Sequence, residues 1–229
     1  MTKILAVDDE MLYRQLVKVN LMPEGYEVIT AANGQEAVET TVNEKPDLII
    51  MDVTMPELDG FEACERIRQF SDVPIIMLTG RGEEENRIKG FQMGADDYVL
   101  KPFSISELIA RVGAVLRRSK NSKPAESTQR YFQHGSLKID FARAEVFKDD
   151  RAVNLSATEY KVLSQFAQNP DRVLSAEDLL TNVWGEGYKD DKEILWVTLA
   201  RLRQKLEDDP KKPNHIITQP GIGYKMPLL

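Results

Sequence analysis

The chain has 229 residues, of which 42% are hydrophobic and 29% charged, and its formal net charge is −7. This length suits one large domain or two of ordinary size, and no apolar run approaches the ~20 residues of a membrane-spanning helix. The single cysteine, Cys64, excludes an internal disulfide. The composition therefore predicts a soluble, cytoplasmic protein with no membrane partner.

The acidic net charge is unevenly distributed. Residues 1–118 carry 13 Lys and Arg against 21 Asp and Glu, a balance of −8, whereas residues 119–229 carry 17 against 16, a balance of +1. A neutral half is weak support for nucleic-acid binding, so the positions of its basic residues must show whether it binds nucleic acid.

The first half alternates short apolar runs with segments of helical spacing. Strands are predicted over 3–7, 26–31, 48–51, 73–78 and 97–100. Helices are predicted over 11–21, 34–44, 60–69, 83–93 and 104–118. Asp59 suits the N-cap of the third helix, and Ser104 with Glu107 suits a capping box for the last. Five strands that alternate with five helices predict an α/β fold with a doubly wound, five-stranded parallel sheet.

Polar side chains follow the predicted strands at the edge where parallel strands end and ligands bind. They are Asp8, Asp9, Asp52, Thr79 and Lys101. Crowded carboxylates repel one another and favour a bound cation. Oxygen ligands, with no Cys or His nearby, favour Mg²⁺ or Mn²⁺. A lysine and a hydroxyl beside them suit phosphoryl transfer to a carboxylate. The alternative is a set of solvated acids at strand ends.

A polar stretch separates the two halves. Residues 119–130 have one apolar residue, Ala125, and predict a flexible linker. Residues 131–229 then predict a small α+β domain. Its strands are expected over 131–134, 136–140, 145–148 and 152–154, its helices over 157–168, 176–184 and 191–207, and a final hairpin over 216–225, with a loop at 186–190.

The longest of these helices has one apolar stripe. Leu195, Leu199, Leu202 and Leu206 recur at helical spacing, and the opposite face carries Val197, Ala200, Arg201 and Gln204. Taken alone, such a helix is more often an ordinary surface helix than a DNA-recognition helix. The only two histidines, His134 and His215, are far apart in sequence and are expected to be structural.

The first half resembles the response-regulator receiver domain, which is flavodoxin-like. The matching motifs are KILAVDDE, MDVTMPELDG, LTG and GADDYVLKPF. The resemblance implies that a sensor histidine kinase phosphorylates Asp52. It implies that Mg²⁺ is held by Asp9, Asp52 and the Thr54 carbonyl, with Asp8 acting through water. It also implies that Lys101 contacts the phosphoryl group before a cis Pro102, and that Thr79 and Tyr98 switch on phosphorylation.

The second half resembles the winged helix-turn-helix domain of the OmpR/PhoB class. The matching pieces are LSATEYKVL, VWG, LARLRQKLE and GIGYK. The resemblance implies that the long helix enters the DNA major groove and the hairpin forms a wing. The residues expected at promoter DNA are Trp184, Val197, Thr198, Arg201, Arg203, Thr218, Tyr224 and Lys225. RNA polymerase is a further expected partner.

This class also implies a homodimer on phosphorylation, formed by charged residues around the fifth strand. The expected pairs are Arg87 with Glu107, Asp97 with Arg111, and Asp96 with Arg118. Several basic positions of the class are replaced here, by Glu193, Thr198, Ala200 and Pro220, which weakens the expected phosphate anchorage. The segment from Lys205 to Lys225 is most similar to the KdpE branch, whose members control potassium-uptake genes.

Two alternatives remain open. An aspartyl-phosphate phosphatase would use Asp52 as its nucleophile, but Thr54 occupies the place of that class's second acid. A DNA-binding regulator that is independent of phosphorylation is the other. The preferred prediction is that the protein is not an enzyme and has at most a slow self-dephosphorylation activity.

Overall fold

The structure, a computed structural model, describes residues 1–80, 94–120 and 131–228. It divides into two compact units, Met1–Leu116 and Arg117–Leu229. The predicted helix at 83–93, with Arg87, and residues 121–130 of the predicted linker lie outside the described residues. In the described part of the chain, no helix is long and apolar enough to cross a membrane.

The first unit is built on a parallel sheet, as predicted. Its strands are β1 (Thr2–Val7), β2 (Tyr26–Ala31), β3 (Leu48–Asp52), β4 (Ile75–Gly80) and β5 (Asp97–Lys101). Their order in the sheet is β2-β1-β3-β4-β5, and all neighbours pair in parallel. The central strand β3 is buried along its whole length, which is why its sequence is continuously apolar up to its terminal acid.

The described helices of this unit begin largely where the capping residues predict. They are α1 (Met11–Leu21), α2 (Gly34–Glu44), α3 (Gly60–Arg68) and α4 (Ile105–Lys120). The Asp59 side chain accepts a hydrogen bond from the Glu62 amide and so caps α3. Helix α4 begins just after Ser104, which accepts from the Glu107 amide, and ends two residues beyond the predicted Arg118. Cys64 on α3 is buried, as expected for a packing residue.

The second unit combines an antiparallel sheet, three α-helices and a hairpin. The four-stranded sheet contains β6 (Tyr131–His134), β7 (Leu137–Asp140), β8 (Glu145–Lys148) and β9 (Arg151–Ala152) in that order. The helices are α5 (Ala157–Ala167), α6 (Ala176–Val183) and α7 (Lys192–Leu206), and the hairpin is β10 (Ile217–Gln219) with β11 (Gly223–Lys225). The predicted loop at 186–190 contains a 3₁₀ turn, Glu186–Tyr188.

The two histidines, distant in sequence, are brought together in this unit. Their Nδ1 atoms are 2.7 Å apart, and His134 Nε2 is hydrogen-bonded to the Pro227 carbonyl. A carbonyl oxygen can only accept a hydrogen bond, so His134 donates one to it from Nε2. With the His134 ring neutral, its Nδ1 then accepts a hydrogen bond from His215 Nδ1. The Glu207 carboxylate accepts a hydrogen bond from the His215 main-chain amide. The pair is thus a buried structural link between β6 and the segment that precedes β10.

Burial lowers the pKa of His215, and the charges of His134 and Lys148 act in the same direction, against those of Glu207 and Asp208. A folded pKa below the unfolded value of ~6.5 means that the unfolded chain binds more protons. The stabilisation is therefore complete above that value and is lost as the pH falls below it.

We expect the second unit to become less stable between pH 7.5 and pH 5.5. Both tryptophans, Trp184 and Trp196, lie in this unit, so urea unfolding followed by tryptophan fluorescence reports on it. The variant His215→Leu should be less stable at pH 7.5 by about 1–3 kcal/mol, because leucine offers His134 no hydrogen-bond donor. It should then lose little more on acidification. Equal pH dependence in both proteins would contradict this account.

Candidate functional site

The acids that follow β1 and β3 meet at one edge of the sheet, as the strand order requires. One carboxylate oxygen from each of Asp8, Asp9 and Asp52 lies within 4.8 Å of the other two. Asp8 and Asp52 are buried, whereas Asp9 is exposed. Oxygen ligands from three acids fit a hard divalent cation. The candidate site is therefore an acidic cluster that is capable of holding a metal.

Lys101, at the end of β5, provides the cluster's counter-charge. Its Nζ lies 2.8 Å from Asp8 Oδ2 and 2.7 Å from Asp52 Oδ1. Burial acts to lower the pKa of Lys101, but its hydrogen bonds to Asp52 and Asp8 outweigh burial and raise it. Burial raises the pKa of Asp52 to about 6; Lys101 opposes that rise, and the neighbouring charges of Asp8 and Asp9 add to it. The pocket thus tolerates several carboxylates only when a cation accompanies them.

The loop after Asp52 is fixed closely against the strand. The Gly60 amide donates to the Val53 carbonyl at 2.9 Å. A Cβ at Gly60 would lie only 2.1 Å from the Asp52 main-chain oxygen, so a side chain there has no room. Thr54 follows on this loop with an exposed side chain. The metal-binding role of the Thr54 carbonyl stays a prediction.

Thr79 and Tyr98 lie on the neighbouring strands β4 and β5. Both side chains are buried, and Thr79 follows directly on Leu78, the residue that pairs with Asp52 in the sheet. The structure places Tyr98 in the interior, where 6% of its surface is exposed. The Lys101–Pro102 peptide is cis, as expected.

Arg14 is a site residue that the sequence analysis missed. Its Nη1 donates to the main-chain oxygens of Asp8 at 2.6 Å and of Asp9 at 3.0 Å, and so ties α1 to the acidic loop. A signal existed in the sequence. An arginine in the first turn of a helix opposes the helix dipole, so its position beside strand-end acids indicates a local acceptor.

The residues expected at the dimer interface differ in the ion pairs that they form within one chain. Arg111 lies 3.1 Å from Asp97 and 3.2 Å from Glu107, so the predicted pair of Asp97 with Arg111 is present within one chain. The pairing of Asp96 with Arg118 is corrected. Asp96 is buried and pairs instead with Arg68 at 2.8 Å.

The same Asp96 oxygen that binds Arg68 also accepts the Ile75 amide. Arg118 is itself buried. The carboxylate of Asp96 is therefore already satisfied inside the unit, because the turn into β5 brings it over the end of α3 rather than to the surface.

The residues expected at DNA do not share one exposed face of α7. Val197, Thr198 and Arg201 are buried, so their expected exposure is corrected. The physical reason is that α7 packs against both α5 and α6, which covers more than the leucine stripe. Four exposed positions recur at i, i+4, i+8 and i+12, namely Lys192, Trp196, Ala200 and Gln204, and Lys205 beside Gln204 is exposed as well.

Trp184 is corrected in the same way. Its side chain is 2% exposed, so it belongs to the core rather than to a phosphate-contacting surface. Its spacing of four from the buried Leu180 was the available signal. Trp196, by contrast, is 54% exposed.

The wing residues are tied to α7 and to the body of the unit. Arg203 donates to the Ile216 carbonyl at 3.0 Å and to Thr218 Oγ1 at 2.9 Å. Thr218 pairs with Tyr224 in the hairpin, and Lys225 Nζ lies 2.9 Å from Asp171. Arg203, Thr218, Tyr224 and Lys225 thus support the wing, while their contacts with DNA stay predictions.

Comparison with known proteins agrees with both units. Residues 4–113 match the family described as response regulator receiver domain. Residues 150–226 match the family described as transcriptional regulatory protein, C terminal.

Relatives extend over the full chain. The chain is 42% identical over 228 residues to the probable transcriptional regulator ycf27 of Cyanophora paradoxa, covering 97% of this chain and 95% of the relative. It is 37% identical over 225 residues to the transcriptional regulatory protein KdpE of Mycobacterium tuberculosis, covering 98% and 99%. The crystal structure of the response regulator DrrB, described as a Thermotoga maritima OmpR/PhoB homolog, is 32% identical, with 99% of both chains covered and a TM-score of 0.50.

The position of α7 depends on one buried carboxylate, which gives a test. Glu159 accepts the Ser156 amide in the α5 capping box, and it binds Lys205 at 2.7 Å and Arg201 at 3.6 Å. We expect Glu159→Gln to lower the free energy of unfolding of the second unit by about 3–5 kcal/mol, because the buried carboxylate that pairs with Lys205 and Arg201 loses its charge. Urea unfolding followed by tryptophan fluorescence measures the change.

The matched control for this variant is Glu145→Gln. Glu145 lies 3.9 Å from Arg143, and both side chains are largely exposed. Such a pair contributes only ~0–1 kcal/mol. Losses of similar size in the two variants would show that Glu159 does not anchor α7.

Proposed function

The chain belongs to the response-regulator family, with a receiver domain and an OmpR-type DNA-binding domain, and from that premise we propose that phosphorylation of Asp52 controls its binding to promoter DNA. The observation that carries the proposal is the contact of Lys101 with both Asp8 and Asp52 inside the acidic cluster. A sensor histidine kinase is the implied phosphodonor. The reaction is attack by the Asp52 carboxylate on phosphorus.

The acidic cluster suits Mg²⁺, or alternatively Mn²⁺, held by Asp8, Asp9 and Asp52, with Thr54 contributing its carbonyl. Its oxygen donors are those that these ions prefer. Burial raises the pKa of Asp52 because it disfavours the negative charge, and a bound cation would offset that effect. A bound divalent cation would neutralise charge on the transferring phosphoryl group. Within the protein, Lys101 then pairs with a phosphoryl oxygen.

The change of charge at Asp52 is the proposed signal. A phosphoryl group brings about −1.5 to −2 charges and strong acceptor oxygens to the sheet edge. In this proposal Thr79, near the end of β4, is the hydroxyl that responds, and Tyr98, buried on the neighbouring strand β5, is the aromatic that moves with it. An equilibrium shift of this kind needs only a few kcal/mol of differential interaction.

We further propose that phosphorylation produces a homodimer. Glu107 and the partly exposed Arg111 supply charges for it on the described part of the chain, the buried Asp97 pairs with Arg111, and Arg87 belongs to the expected set. Sedimentation of the protein with and without beryllofluoride tests this step. A monomer at tens of micromolar with the mimic bound would contradict it.

Other partners follow from the family premise. We infer that the protein acts in the cytoplasm, where it reaches promoter DNA and RNA polymerase. Its likeness to a KdpE supports control of potassium-transport genes as a subgroup proposal. Reporter assays on potassium-responsive promoters would refute that subgroup if expression were unchanged by deletion of the regulator.

Two alternatives are less well supported. A phosphatase that uses Asp52 lacks the second acid of its class, because Thr54 stands there, and hydrolysis of small phosphoesters at enzymatic rates would revive it. We propose that the protein is no enzyme beyond slow self-dephosphorylation. A regulator that is independent of phosphorylation would bind DNA equally well with and without a phosphodonor.

Asp52→Asn should abolish phosphorylation by acetyl phosphate in the presence of Mg²⁺, because an amide is not a nucleophile in this reaction. Intact-protein mass spectrometry measures the modified fraction. Asp59→Asn is the matched control, since asparagine caps a helix as well as aspartate does and Asp59 lies outside the cluster. Wild-type labelling of the Asp52→Asn protein would refute the assignment.

The exposed face of α7 gives a test of DNA binding. Gln204→Ala should weaken specific binding by about 1–3 kcal/mol if the helix reads base edges in the major groove. Gln168→Ala is the control, because Gln168 is exposed at the end of α5. Fluorescence anisotropy on a DNA site selected by the phosphorylated protein measures both. Equal affinities of the two variants would exclude this face from recognition.

A further inference from the structure

An aromatic ring on α1 lies against the lysine of the acidic cluster. The centroid of the Tyr13 ring is 4.1 Å from Lys101 Nζ. The same Nζ is 2.8 Å from Asp8 and 2.7 Å from Asp52. The ammonium group therefore contacts two carboxylates and the face of one ring, a distance at which cation–π attraction operates.

The ring itself is held from both neighbouring elements. The next residue, Arg14, binds the main-chain oxygens of Asp8 and Asp9 and fixes the start of α1 beside the cluster. The Tyr13 ring also packs on Phe103, with centroids 6.5 Å apart and planes at 44°. Phe103 lies two residues after Lys101. The ring thus belongs to the same local assembly as the lysine that it contacts.

We propose that Tyr13 is a positioning residue that acts through Lys101 to speed phosphoryl transfer to Asp52. This inference rests on the function proposed above. The lysine side chain is long and flexible, and its two ion pairs weaken when a metal ion neutralises Asp8 and Asp52. The attraction of the ring does not depend on the charge of those carboxylates. It therefore keeps the ammonium in the pocket at the stage when a phosphoryl oxygen needs it.

The step on which the ring acts is balanced without any further reactant. An Asp52 carboxylate oxygen forms a bond to the phosphorus of acetyl phosphate, while the bond from phosphorus to the acetate oxygen breaks. Acetate leaves with that electron pair. Negative charge on the phosphoryl oxygens is stabilised in the transition state by the Lys101 ammonium, provided that it is already in place.

The test compares Tyr13→Leu with Tyr13→Phe. Leucine keeps an apolar contact with Phe103 but offers no ring to the ammonium, whereas phenylalanine retains the ring. Rates of phosphorylation by acetyl phosphate with saturating Mg²⁺ should fall about three- to tenfold for Tyr13→Leu and change less than about twofold for Tyr13→Phe. In a Lys101→Met background, Tyr13→Leu should have no further effect. Equal rates for wild type and Tyr13→Leu would overturn the proposal.

A second measurement requires neither metal nor phosphodonor. In the NMR spectrum of the unphosphorylated protein, the Lys101 side-chain protons should be shifted upfield by the ring in wild type and Tyr13→Phe, and this shift should be lost in Tyr13→Leu. No such shift in the wild type would overturn the ring contact wherever the phosphoryl group is found. Labelling at a residue other than Asp52 would instead refute the proposed function, so the two failures are distinguishable.

Discussion

The functional end of the first unit depends on the ion pairs that join Lys101 to Asp8 and Asp52. Three carboxylates at the end of a parallel sheet repel one another, and two of them are buried. The raised pKa of Asp52 expresses the cost of that burial. A lysine from β5 offsets the cost, and under the proposed function it does so at the position where a transferred phosphoryl group would need a cation. One side chain thus serves both folding and chemistry, which is why the contacts that position it matter.

A second set of buried charges organises the other end of the sheet. Arg68 binds the Gly94, Ser71 and Val73 carbonyls as well as the Asp96 carboxylate. Helix α3 is thereby fastened to the turns that lead into β4 and β5. Asp96 is consequently committed within the unit, as is the buried Asp97, and among the described residues of the expected set the charges that reach the surface are those of Arg111 and Glu107.

In the second unit, α7 is held on two sides. Glu159 binds Lys205 and Arg201 on one flank, and Arg203 binds the wing on the other. The helix and the hairpin are therefore presented as one rigid element. Its exposed residues recur every four positions, and such a row is the part of the helix available to a groove of DNA.

The helices and strands, and most of the residues at their ends, could be predicted from the amino-acid sequence. Hydrophobic periodicity and capping residues are local, so α1, β2 and the caps at Asp59 and Ser156 were predictable within a residue or two. The convergence of Asp8, Asp9, Asp52 and Lys101 was predictable too, because alternating strands and helices leave few topologies and all of them bring these strand ends together.

Only the tertiary structure decided which side chains pair. The partners Asp96 and Arg68, Glu159 and Arg201, and His134 and His215 are separated by 28, 42 and 81 residues in sequence. No periodicity encodes such pairs, since each depends on how two elements pack. For the same reason, the burial of Trp184 and Thr198 and the contact of Tyr13 with Lys101 emerged only once the packed elements were in place.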